Sequence, residues 1–141
     1  MERKATAVWQ GGLKDGKGTL TTESKVLSNT PYSFSTRFEG SPGTNPEELL
    51  GAAHAGCFSM ALSLILGEAG IRPERIETQA TITLEKLATN FTITRSHLDV
   101  TVKAPGADPA KFNEAAEKAR AGCVLSRVLK AEISMDARLA G

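Results

Sequence analysis

A chain of 141 residues with 40% hydrophobic and 23% charged residues has the length and composition of one folded domain, 1–141, with enough apolar material for its own core. Its formal net charge of +1, with no basic stripe or polybasic run, argues against a nucleic-acid or anionic-membrane partner. The N-terminus MERKATAVWQ lacks the apolar stretch of an export signal, so a cytoplasmic location is expected. In such a setting two cysteines are more often catalytic or redox-active than structural.

Ala5 to Val8 predicts a short strand, GGLKDGKG (Gly11 to Gly18) a hairpin connection, and Thr19 to Thr22 the returning strand. The segment YSFSTRF then alternates. Tyr32, Phe34, Thr36 and Phe38 share one parity and Ser33, Ser35 and Arg37 the other, which predicts a third strand with Arg37 opposite the aromatics.

The stretch from Thr44 to Gly70 reads TNPEELLGAAHAGCFSMALSLILGEAG. Asn45 is an N-cap, Pro46 is pre-set for the first helical position, Glu48 stands where a capping box needs it, and Gly70 closes the helix. Between Leu49 and Leu66 there is no proline and almost no charge, and a helix without a long polar face is buried on most sides, in a core or against a second subunit. His54, Ser59 and Ser63 interrupt the apolar run, and alanines and glycines weaken it, so a membrane span is not expected.

Ile76, Ala80, Ile82 and Leu84 share a parity and predict a half-buried strand, followed by a turn at Ala88 to Asn90 and a strand from Phe91 to Lys103. In that second strand the apolar parity switches from Phe91 and Ile93 to Leu98, Val100 and Val102, which a β-bulge near Arg95 reconciles. Asp108 and Pro109 start a second helix to about Ala121, with Gly122 as its C-cap and Cys123 just past its end. A short helix through Leu129 follows, and Ile133, Met135, Ala137 and Leu139 alternate as a closing strand. The order predicts an α+β fold: antiparallel sheets with a long buried central helix and a second helix, completed by a second copy.

Cys57, in the middle of the apolar helix, reads either as a small buried hydrophobe or as a nucleophile. A bridge to Cys123 would close a long loop and be worth about 4 kcal/mol against the unfolded chain, but a reducing cytosol would not keep it permanently, which points to a disulfide that forms and breaks. To react at neutral pH Cys57 must become a thiolate, and the helix dipole fades within the first turn, so a cation has to help. Arg37 is the candidate cation, its plain alternative being an exposed strand arginine. Glu47 is the partner to hold its guanidinium, its plain alternative being a first-turn carboxylate placed for the dipole. Glu47 and Cys57 are separated by about 15 Å of helix at 1.5 Å per residue, so a site that uses both takes the glutamate from a second subunit or has Arg37 span the gap. His54, one turn before Cys57, offers a Cys-His acyl transferase as a rival, although packing or a backbone carbonyl accounts for it more simply. Phe38, Phe58 and nearby leucines would offer an apolar approach. Neither a zinc signature nor a phosphate-binding glycine loop is present, and no metal or cofactor is expected.

The segments RFEG (Arg37 to Gly40), NPEELLGAAHAGCFSMAL (Asn45 to Leu62) and AGCVLSRVLKAEI (Ala121 to Ile133) resemble the OsmC branch of the OsmC/Ohr family. The likeness extends over almost the whole chain, including QGGLKDGKGTLTTES near the N-terminus. It implies a thiol-dependent peroxidase that prefers organic hydroperoxides to hydrogen peroxide, an intertwined homodimer with two sites at the interface, and an external dithiol of lipoyl type as reductant. By position, Cys57 would be the peroxidatic cysteine, Cys123 the resolving one, and Arg37 and Glu47 the activating pair. The family's second cysteine is usually followed by proline, and Val124 stands there instead. The alternative from another class is a non-catalytic dimer, binding a small apolar ligand or serving as a stress-induced structural protein, with inert buried cysteines.

Overall fold

The computed structural model describes residues 1–140, and its backbone contacts group into two compact units, Met1–Leu49 and Leu50 onward. In the first unit β1 (Ala5–Gln10), β2 (Lys17–Thr22) and β3 (Thr30–Tyr32) form an antiparallel sheet with β2 in the middle. Glycine is needed at position 18. A Cβ there would stand 2.4 Å from the Tyr32 ring and 2.6 Å from Trp9, the two rings being packed with their centroids 5.5 Å apart.

After β3 the expected strand gives way to a short helix, α1 (Phe34–Phe38). Ser33 is its N-cap: the Thr36 N–H donates to the Ser33 hydroxyl, and the Ser33 N–H donates back to Thr36 Oγ1 at 2.9 Å. Phe34 and Phe38 share a parity, but they also stand one helical turn apart, where their ring centroids lie 5.0 Å from each other. Both periods fit the same aromatics, and the serine cap decides for the helix.

The long helix α2 (Pro46–Glu68) begins and ends where its caps predict. The Glu48 N–H donates to Asn45 Oδ1 at 2.8 Å, while the Glu48 carboxylate accepts from the Thr44 hydroxyl in place of the Asn45 N–H. At the other end Gly70, at φ 77°, lets the Ile71 N–H reach the Leu66 carbonyl and its own N–H reach that of Gly67, a Schellman closure. By length and composition α2 is apolar enough to cross a membrane. It is buried along one stripe, Gly51, His54, Phe58, Leu62 and Leu66, narrower than burial on most sides, and Met60 and Leu64 stand 78% and 65% exposed.

The second unit packs that stripe in its core. β4 (Arg75–Lys86) and β5 (Phe91–Lys103) pair antiparallel, and the register steps from Thr83↔Arg95 to Leu84↔Ile93, leaving Thr94 as the extra residue of a bulge. Beyond it, Ser96, Leu98, Val100 and Val102 all turn inward. β6 (Glu132–Leu139) lies on the other edge of β5 and runs parallel to it, departing from the antiparallel expectation. Parallel neighbours need a crossover, and α3 (Pro109–Gly122) and α4 (Val124–Val128) supply it. Asp108 caps α3 as expected, accepting from the Ala110 N–H. Gly122 is the last helical residue rather than the cap, since Cys123 takes that place at φ −54° and ψ 136°.

The core of this unit gathers Phe58, Leu62 and Leu66 of α2, Leu98, Val100 and Val102 of β5, and Phe112, Ala115, Ala116 and Ala119 of α3. Leu62 is fully buried, so Leu62→Ala is expected to cost about 2–5 kcal/mol. A fall of that size in the unfolding free energy from urea titration confirms the packing, and an unchanged midpoint contradicts it.

Candidate active site

Cys57 stands half-buried on α2, one residue before the fully buried Phe58. Cys123 is 2% exposed and closes α3 while opening α4. Its N–H donates to the Ala119 carbonyl, and its carbonyl accepts from the Arg127 N–H. This double cap turns the side chain toward α2, and the Cys123 S–H donates to Cys57 Sγ across 3.1 Å. Both thiols are free and in contact, as a dithiol that can bridge without refolding requires.

Burial pushes the Cys57 thiol above its usual range, and the bond from Cys123 pushes it further. The backbone N–H groups of Leu125 and Val124, at the start of α4, act the other way, because they point toward the sulfur and favour its anion. Valine at position 124 thus retains a donor that a proline would lack. None of these causes is a cation, so within this environment the thiol stays protonated at neutral pH.

In the first unit Arg37 and Glu47 form an ion pair. Arg37 Nη2 donates to Glu47 Oε1 at 2.6 Å, while its Nε donates at 3.1 Å to Oε1 and 3.2 Å to Oε2. The Arg37 guanidinium carbon also stands 5.1 Å from the centre of the Phe38 ring. Arg37 is therefore on a helix beside an aromatic, not opposite the aromatics of a strand. The Asn45 side chain, whose oxygen caps α2, donates its amide to the Thr36 carbonyl of α1 and so ties the two helix ends that carry the pair. A cleft of about 270 Å³ adjoins Arg37, lined by Trp9, Leu13, Tyr32, Phe34 and Phe38. Phe38 thus lines an apolar cleft beside Arg37. Phe58 does not, being wholly enclosed in the core of the other unit.

His54 makes no Cys-His pair. It is fully buried, with Nδ1 held by Ser96 Oγ at 2.7 Å and Nε2 by Ser126 Oγ at 2.8 Å, so both nitrogens are occupied by serines rather than by a thiol. Burial lowers its pKa and keeps the ring neutral. The sequence reading passed over Ser96 and Ser126. A signal for Ser96 was present, since it shares the inward parity of Leu98, Val100 and Val102. Among the described residues no group of three or more His, Cys, Asp and Glu side chains is arranged to hold a metal ion.

The family model for OsmC-like proteins matches residues 38–138. The chain is 55% identical over 139 residues to Peroxiredoxin OsmC of Escherichia coli, covering 99% of this chain and 97% of that protein. It is 27% identical over 123 residues to organic hydroperoxide resistance protein OhrB of Bacillus subtilis, covering 86% of this chain and 88% of that one. Among solved structures, an OsmC-like protein of Vibrio cholerae superposes with a TM-score of 0.77 at 16% identity, over 98% of this chain and 99% of that one. The crystal structure of Bacillus subtilis OhrB does so at 0.68 and 24%, covering 97% and 98%. At such identities the structural likeness is one of fold.

The state of His54 makes stability depend on pH. A histidine whose folded-state pKa lies below its ordinary 6.5 binds protons more readily unfolded, so its contribution is complete above that value and is lost as the pH falls through the lowered one. Urea titrations at pH 7.5 and pH 5 are expected to show lower stability at the acid value, with a smaller difference in His54→Gln. An equal difference in both proteins would contradict a neutral buried imidazole.

Proposed function

The chain belongs to the OsmC family, and from that premise we propose that it is a thiol-dependent peroxidase that reduces organic hydroperoxides to alcohols. The observation that carries this reading is the 3.1 Å contact between the sulfurs of Cys57 and Cys123. The Cys57 thiolate attacks the distal oxygen of ROOH, the O–O bond breaks, and the departing alkoxide takes up a proton and leaves as the alcohol. The sulfur is left as a sulfenic acid. The Cys123 thiol then condenses with it, forming the S–S bond and releasing water. Both electrons that reduce the hydroperoxide come from the thiol pair. An external dithiol restores the pair by exchange, and a lipoyl-type dithiol suits this step because its second thiol resolves the mixed disulfide within one molecule. The thiolate carries the chemistry, so no metal or cofactor enters the scheme.

Burial opposes the thiolate, and Arg37 supplies the missing charge. Its guanidinium is held by Glu47 and flanked by Phe38, which fixes the direction of the charge before substrate arrives. From position 47 to position 57 a straight helix rises about 15 Å, which favours a site whose charged pair comes from the second copy of an intertwined homodimer. The exposed Met60 and Leu64 of α2 give that copy an apolar surface to cover. The aromatic cleft beside Arg37 favours an alkyl or aryl hydroperoxide over hydrogen peroxide. A dithiol that must be regenerated suits a reducing compartment, which supports a cytoplasmic location.

A steady-state assay with cumene hydroperoxide and dihydrolipoamide tests the proposal. The wild-type protein is expected to consume the hydroperoxide and Cys57→Ser to lose that activity. Arg37→Gln is expected to lower kcat/KM at neutral pH by about 10- to 1,000-fold, the thiolate lost when one to three pKa units of charge stabilisation disappear. A wild-type protein that leaves the hydroperoxide untouched overturns the reading.

A further inference from the structure

The imidazole of His54 joins three elements at once. It sits on α2 and bonds through Nδ1 to Ser96 of β5 and through Nε2 to Ser126 of α4, both side chains lying in the buried interior. Its position relative to the thiols is regular. His54 precedes Cys57 by one turn of α2, and Ser126 follows Cys123 by one turn of α4, so the His54–Ser126 bond lies one turn from the Cys57–Cys123 contact along the same pair of helices.

Helix α4 is short and only partly enclosed. It is five residues long, Cys123 gives it no side-chain cap, Val124 and Val128 are 64% and 70% exposed, Leu125 packs half-buried against the core, and Ser126 is its one buried residue. Beside the apolar contact of Leu125, the bond from Ser126 to His54 is the polar anchor that fixes how this helix sits on α2. The sulfurs need to approach by only about 1 Å from their present contact to reach bonding distance, so a helix already anchored loses little freedom on bridging, whereas one released from its anchor must first be reordered.

We propose that His54, through its bond to Ser126, is a positioning residue that sets α4 on α2 and thereby holds Cys123 against Cys57 for disulfide formation. The neutral imidazole donates through one nitrogen and accepts through the other, and the two serine hydroxyls, each able to do either, complement it. Ser96 satisfies the other ring nitrogen from the sheet side, where α2 and β5 already meet in the core, while the Ser126 bond is the one that reaches the helix of the resolving thiol. This gives the peroxidase reading, on which the inference rests, a reason for a histidine in an otherwise apolar stripe. The role is not that of a general base, because neither nitrogen faces a sulfur.

The test is the equilibrium of the full-length protein with reduced and oxidised glutathione, which reads how strongly Cys123 is presented to Cys57 without any peroxide. One oxidised glutathione takes two electrons from the thiol pair, giving the bridge and two reduced glutathiones. Ser126→Ala is expected to lower the equilibrium constant for the Cys57–Cys123 bridge by about five- to tenfold, the weight of one net hydrogen bond, and Ser126→Thr to restore most of it. Ser96→Ala removes a bond of the same kind on the sheet side, and is expected to lower the unfolding midpoint while leaving the bridge constant within about twofold. In a second arm, dimedone trapping after addition of cumene hydroperoxide is expected to capture more Cys57 sulfenic acid in Ser126→Ala than in wild type. An unchanged bridge constant in Ser126→Ala, or an equal fall in Ser96→Ala, overturns the inference. A wild type that forms no sulfenic acid and loses no thiols to the hydroperoxide sinks the peroxidase reading instead, whatever the glutathione equilibria show.

Discussion

Two thiols from different helices lie in contact near the edge of an apolar core, and most of the second unit is arranged to keep them there. Cys57 is placed by the buried stripe of α2, because Phe58 and Leu62 lock the rotation of that helix against β5 and α3. Cys123 is placed by the junction of α3 and α4, where one residue ends a helix and begins the next. Interiors are packed too densely for either sulfur to wander far, so the contact persists in the reduced protein and the bridge needs little motion. The arrangement has an electrostatic cost: the burial that holds the sulfurs together also favours the neutral thiol.

The proposed remedy is a charge prepared elsewhere in the fold. Arginine suits this task, since its guanidinium stays protonated, offers a planar set of donors to a carboxylate and packs on an aromatic face. Glu47 and Phe38 use these properties to hold Arg37 before any substrate arrives, and the Asn45 amide ties together the helix ends that carry the pair. In the proposed dimer the charged pair of one copy serves the thiols of the other, which would make assembly part of the chemistry rather than an accessory to it.

The features legible in the sequence were those set by local chemistry. Asn45, Pro46 and Gly70 bound α2 because caps depend on a few adjacent residues, and the parity switch between Ile93 and Leu98 marked the bulge at Thr94 because strand faces alternate. The placement of Cys123 just beyond a helix end came from the same kind of signal. Features that depend on distant partners were not legible. The direction of β6 follows from the crossover through α3 and α4, and Phe58 is enclosed because β5 and α3 meet there. The segment around Arg37 failed for another reason: Phe34 and Phe38 satisfy a strand and a helix equally, and the Ser33–Thr36 capping box that decides between them has threonine where the helix-start signature has Glu or Gln. The sequence could suggest that the two cysteines act together, but the contact itself needed the fold.

The most direct test of this account is to add one equivalent of cumene hydroperoxide to the fully reduced protein, count the remaining thiols and map the peptides. The account predicts that both thiols disappear together and that the peptides carrying Cys57 and Cys123 are recovered joined. Retention of both thiols, or a Cys57 oxidised alone with Cys123 still free, would contradict it.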